Sequence, residues 1–200
     1  SHTSGDILPK IEIGQRPEKI PLSFSQERLW FIDKLEGSVQ YHISQVFRLR
    51  GDLDKNALAK KFQQIGDRHE ALRTVFREEN GEPRQQVRPK GLWKLEQEVA
   101  RSTSDNLSIY IGEKVKKPFD LSSDFMLRAT LVPVEKNEHL LIITMHHIAS
   151  DGWSMPVIVK EFVSLYISYS EKKPIELKPL RIQYADYAIW QNNYLNGKIF

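Results

Sequence analysis

Apolar and polar positions alternate with several distinct periods along the chain, and each period predicts an element. Ser23 and Gln26 have the spacing of a capping box, in which the hydroxyl accepts an orphan amide and the Gln side chain reaches back. Leu29, Trp30, Ile32 and Leu35 then give a wide apolar stripe, and Gly37 supplies the stop. The run Val46-Phe47-Arg48-Leu49-Arg50 alternates and ends at Gly51-Asp52, as a strand does. Asp54 is placed to cap a second helix, with Leu58, Phe62 and Ile65 on one face and Gly66 closing it. Leu72 to Arg77 and Gln85 to Arg88 read as two strands around the turn Glu79-Asn80-Gly81-Glu82.

A third helix is expected over 107–116, with Leu107, Ile109, Tyr110, Ile111 and Val115 apolar. Met126 to Val134 reads as a strand, joined by the polar turn 135–138 to Leu140-Leu141-Ile142-Ile143-Thr144-Met145. That second run is almost wholly apolar, the mark of a central strand covered on both faces. A helix follows from about Pro156 to Ser170, with Ser154 as its N-cap and Val159, Phe162, Val163 and Tyr166 as its stripe. Tyr184 to Tyr194 forms the last, carrying Tyr187, Ile189 and Trp190. Helices and strands mix without strict alternation, so the fold class is α/β (α+β), a mixed β-sheet flanked by helices. Residues 1–20, with two prolines, two glycines and no period, read as a linker or arm ahead of one unit spanning 21–200.

Composition narrows the function. The 200 residues are 40% AVILMFWYC, and 10 glycines bring the apolar share to 45%, within ordinary globular usage. Net charge is 29 − 26 = +3, too small a surplus to indicate nucleic acid as a partner. With no cysteine, disulfide scaffolds, thiol nucleophiles and thiolate metal sites are excluded, and the chain suits the cytoplasm. No stretch approaches the 18 apolar residues of a membrane span.

The chemistry concentrates in His146-His147-Ile148-Ala149-Ser150-Asp151-Gly152, where two histidines end the most apolar strand. Successive strand side chains point to opposite faces, so only one of the pair faces a given cleft, and parity alone does not say which. The bland alternative is a structural histidine with its hydrogen bonds met. Metal binding lacks a third nearby imidazole and HExxH spacing, and a serine triad lacks a GxSxG elbow. A histidine that takes or positions a proton remains. Arg73 precedes the run Thr74-Val75-Phe76, where an unpaired charge would be costly, so Asp151 is expected to pair with it and hold the turn. Trp30, Trp153 and Trp190 read as packing residues.

The stretch matches the HHxxxDG motif of the acyltransferase superfamily that includes chloramphenicol acetyltransferase and the condensation domains of nonribosomal peptide synthetases. Three further segments resemble condensation-domain motifs in order: residues 23–31 (SFSQERLWF, with Ser25 where the family commonly has Ala), 68–76 (RHEALRTVF) and 184–191 (YADYAIWQ). The chain is thereby identified as resembling the N-terminal lobe of such a domain, with a chloramphenicol acetyltransferase-like fold and the C-terminal lobe absent.

The resemblance implies peptide-bond formation between donor and acceptor thioesters carried on the phosphopantetheine arms of carrier proteins, with no cofactor or metal bound. It makes carrier domains, the second lobe and neighbouring synthetase domains the partners, while the charge and hydropathy above leave no nucleic acid and no membrane as expected partners. It implies that His147 faces the tunnel as catalytic residue, and the Gly152 amide is expected to point at the tunnel and assist the oxyanion. His146, Asp151 and Arg73 become structural residues at the site. Alternative expectations are a carrier-docking lobe without catalysis, an epimerization domain, or a stand-alone acyltransferase using coenzyme A. The segment LSFSQERLWFIDKLEG with HHIASDGWS further resembles the subtype that accepts a D-configured donor.

Overall fold

The computed structural model describes residues 9–99, 106–150, 154–173, 175 and 177–197. In chain order the elements are α1 (Phe24–Glu36), β1 (His42–Arg50), α2 (Lys55–Arg68), β2 (Thr74–Glu79), β3 (Glu82–Val87), β4 (Glu96–Gln97), α3 (Leu107–Lys116), β5 (Leu127–Glu135), β6 (Glu138–His146), α4 (Ser154–Ser170) and α5 (Tyr184–Asn196). Four strands form one mixed sheet in the order β1-β6-β5-β4, and β2-β3 form a separate hairpin. Among the described strands, only β4 runs parallel to its neighbour.

Strand β6 lies between β1 and β5, which explains its continuous apolar run. Leu141, Ile143 and Met145 face a layer made by α2 and α4, where Leu58, Phe62, Ile65, Ile158, Phe162 and Leu165 complete the core. Leu140 and Ile142 face the other way, onto Tyr110 of α3. The strand is therefore covered on both sides, and a period of two would have had no polar face to report. Phe62 is the centre of the larger layer. Its ring stacks on Phe162 at 4.4 Å and on Trp93 at 5.5 Å, and the Trp93 indole N–H donates to the Leu127 carbonyl at 2.8 Å.

Local signals act where they are expected. Ser23 accepts from the Gln26 N–H while the Gln26 side chain accepts from the Ser23 N–H, a complete capping box. Asp54 accepts from the Ala57 N–H at the start of α2. Asn80 and Gly81 both have positive φ, 54° and 82°, the pairing that a two-residue type I′ hairpin requires.

Other boundaries and faces differ. Strand β1 begins at His42 and not near Val46, because its whole length pairs with β6 from His42↔His146 to Arg50↔Glu138. Gly66 does not close α2. The helix runs on to Arg68, with the His69 N–H donating to the Ile65 carbonyl, and Gly66 packs against Trp93. Leu72 and Arg73 lie in a 3-10 turn ahead of β2, and β3 starts directly after the turn at Glu82. Ser154 is the first residue of α4.

Three residues expected on apolar stripes point outward: Leu35, Ile109 and Val163 are exposed. On α1, Phe24 and Phe31 are exposed as well, so much of that helix's apolar surface is uncovered. The described part of the N-terminal arm is tied down. Arg16 reaches Glu70 at 2.8 Å and Asp186 at 2.9 Å, and Ile20 bridges to Gln85.

Candidate active site

Strand β6 ends at His146, and the chain turns at once into a 3-10 turn over His147–Ala149. The break separates the two histidines. His146 has the parity of Leu140 and Ile142, so its ring stays on the α3 side of the sheet, fully buried. His147 has left the strand, and its side chain is exposed.

His146 is held on both nitrogens. Its Nδ1 accepts from the Ile148 N–H at 3.0 Å. That nitrogen therefore carries no proton, and the neutral ring must carry its proton on Nε2. Nε2 lies 2.7 Å from the Ser38 hydroxyl, which accepts from it and in turn donates to the Asp33 carboxylate. His42, directly across from His146 in the sheet, and Phe119 close around it with ring centroids 5.7 and 5.8 Å away. His42 donates from Nδ1 to the Val115 carbonyl at 2.9 Å, and burial lowers its pKa. Arg128 caps the cluster, its guanidinium 4.2 Å from the Phe119 ring centroid while it donates to the Lys117 and Pro118 carbonyls. Burial, with the two neighbouring histidines, pushes the His146 pKa down to about 4. His146 is thus a neutral strut that fixes the start of the turn carrying His147.

This strut makes a first prediction. Ser38→Ala leaves the buried Nε2–H without its acceptor and should cost about 1–3 kcal/mol in chemical denaturation. A loss under about 0.5 kcal/mol would mean that His146 does not depend on Ser38.

His147 opens onto a cleft of about 410 Å³. One side is α1, with Ser25, Gln26 and Leu29. The floor is the turn 147–150, and the other side is α5, with Tyr184 and Tyr187. The two helices are bolted together behind it. Ser23 Oγ meets Tyr184 Oη at 2.9 Å, the Phe24 N–H donates to Gln191 Oε1 at 3.0 Å, and Asn192 donates to the Leu22 carbonyl at 2.8 Å. Three separated sequence motifs therefore converge on one cleft.

Asp151, Gly152 and Trp153 lie outside the described residues, so the expected Asp151–Arg73 pair falls there on its acidic side. Arg73 itself is buried. It donates to the Arg88 carbonyl and stands 3.7 Å from Glu70. Trp190 stacks between Tyr187 and Tyr194, and Trp30 packs at the edge of a small core cluster.

The sequence alone has no place for His42, Ser38, Asp33 or Phe119. Their role arises from strand register and loop packing, and no motif announces it. Tyr187 reads as part of an apolar stripe, although a Tyr four residues before a Gln on one helix face is a usable signal of a polar pair. Among the described residues no group of three or more His, Asp or Glu is arranged to hold a metal ion.

The comparisons with known proteins agree with this arrangement. The family model described as "Condensation domain" matches residues 17–200. Malpibaldin synthetase of Mortierella alpina is 39% identical over 198 residues, covering 96% of this chain and 4% of that protein. The dimodular nonribosomal peptide synthase of Bacillus subtilis (strain 168) is 37% identical over 191 residues, covering 95% of this chain and 8% of the synthase. Among solved structures, the X-domain in the complex of the X-domain and OxyB from teicoplanin biosynthesis superposes with a TM-score of 0.86 at 33% identity, covering 96% of this chain and 42% of the other. The chain thus spans a small part of the synthetases it matches and less than half of that solved chain. With the family model matched across nearly the whole chain and four ordered motifs in place, the chain belongs to the condensation-domain family.

Proposed function

We propose that this chain is the motif-bearing lobe of a condensation domain that forms a peptide bond in nonribosomal peptide synthesis. The observation that carries the reading is the sorting of the two histidines: His146 buried and neutral, His147 exposed on the floor of a cleft. The substrates are a donor acyl or aminoacyl thioester and an acceptor aminoacyl thioester, each on the phosphopantetheine arm of a carrier protein in the cytoplasm.

A thioester is already activated, so the main task is to hold amine and carbonyl in attack geometry. That alone is worth about 7–11 kcal/mol. The amine lone pair forms the C–N bond, and the carbonyl π pair moves onto oxygen. Collapse re-forms the carbonyl and expels the thiolate. The proton lost by the amine goes to the His147 imidazole and from there to the thiolate, so the ring ends as it began. The Gly152 amide belongs to this reading as a donor to the oxyanion, and the Asp151–Arg73 pair as a carboxylate partner for the buried Arg73 charge. A second lobe supplies the opposite wall of the cleft.

The neighbouring X-domain structure, solved in complex with OxyB, favours a second reading, a lobe that docks a protein without catalysis. One assay separates the two. The intact synthetase module is offered a loaded donor and a loaded acceptor carrier, and dipeptidyl-carrier is followed by mass spectrometry. Catalysis requires dipeptide formation above that of the carriers alone. Carrier binding without dipeptide would favour docking.

A further inference from the structure

Resting on that reading, we infer that the Tyr187 hydroxyl is a catalytic hydrogen-bond donor that binds the thioester carbonyl oxygen as negative charge develops on it. The argument turns on where one proton points. Gln191 sits one helical turn beyond Tyr187 on α5, with its side-chain amide between two groups: the Phe24 backbone N–H, 3.0 Å from Oε1, and the Tyr187 hydroxyl, 3.0 Å from Nε2. A backbone N–H is only a donor, so the Gln191 oxygen must face Phe24. Its NH₂ then has to face Tyr187, and the Tyr187 oxygen accepts. The amide cannot be flipped without placing two donors against each other at Phe24.

Tyr187 therefore receives a hydrogen bond and still holds its own proton. Among the described residues that proton meets no acceptor, and Tyr187 lines the cleft onto which His147 opens. The ring is also held in place, stacked on Trp190 at 5.9 Å and tilted against Tyr184 at 5.5 Å. A fixed O–H with an unspent proton in a substrate cleft is what oxyanion stabilisation uses, since it needs no reorganisation as charge develops. The incoming bond from Gln191 strengthens the hydroxyl as a donor by polarising it. Tyr187 keeps its proton throughout, and the transferred proton follows the His147 route.

The test uses Tyr187→Phe and Gln191→Glu in the intact synthetase module, with loaded carriers as substrates. Tyr187→Phe keeps the stacked ring and removes only the hydroxyl. Gln191→Glu still accepts from Phe24 but presents Tyr187 with an acceptor, so the hydroxyl proton turns away from the cleft. Each should lower kcat on the order of 10²-fold, with KM for both carriers and the melting temperature near wild type. The double variant should lose no more than either single one, because both remove the same donor. Wild-type kcat in either variant, or a loss confined to KM or to melting temperature, overturns the inference. His147→Ala run in parallel separates the failures. If it is slow while Tyr187→Phe matches wild type, only this inference falls. If His147→Ala equals wild type, the reading of the cleft falls and takes this with it.

Discussion

Replacing His147 with alanine should slow dipeptide formation by the intact module by about 10²–10⁴-fold, the range of a lost general base. The fold should be unaffected. The side chain is exposed, and its removal opens no cavity. Its place in the chain is set by neighbours that stay: the Ser150 N–H donating to the His147 carbonyl at 3.2 Å, and the Ile148 N–H held by His146. Rapid-quench single-turnover kinetics with pre-loaded carriers isolates the bond-forming step from loading, and thermal melting gives the control. A variant that condenses at the wild-type rate would remove His147 from the chemistry. A variant that melts many degrees lower would make its role structural.

Replacing His146 should do the opposite. His146→Ala removes a fully buried ring and two hydrogen bonds, to Ser38 and to the Ile148 N–H, at a cost of about 2–4 kcal/mol. Wild-type stability should also carry a pH signature. The folded pKa of His146 is about 4 against an ordinary value of 6.5, so the unfolded chain binds more protons between those limits. Stability contributed by the neutral ring is complete above about pH 6.5 and is lost as pH falls toward 4. A shift of this size amounts to about 3 kcal/mol across the window. His42, whose pKa burial also lowers, acts in the same direction. Denaturant titrations at about pH 7.5 and pH 5 should show wild type losing about 2 kcal/mol and His146→Ala clearly less. Parallel losses in the two proteins would show that His146 is not the group being protonated.

The two histidines are adjacent in sequence and opposite in burial, and the reason is tertiary. Alternation along a strand says that neighbours diverge, but not which face is closed. Here α3 and the loop bearing Phe119 close the face of Leu140, Ile142 and His146, while the 3-10 turn lifts His147 out of the strand. The partners of His146 come from 104 and 108 residues away, His42 by antiparallel register and Ser38 by the loop after α1. No local pattern encodes such distances.

Short-range physics governs the features that could be read from the linear chain. A capping box, an Asn-Gly turn and an unbroken apolar run each have one low-energy local solution. They placed α1, the β2-β3 hairpin and β6 close to where they lie. Four ordered motifs likewise marked the family, because a motif is itself a linear pattern. Contacts between distant segments settled the rest. Gly66 carries on inside α2 because the helix's hydrogen bonds continue past it and Trp93 packs against it. Val163 and Leu35 stay exposed because, among the described residues, nothing covers their faces. The unspent proton on Tyr187 follows from a backbone N–H 167 residues before Gln191 that forces the orientation of its amide. Burial and hydrogen-bond direction belong to the assembled molecule, since each needs a partner whose position the chain fixes only once it has folded.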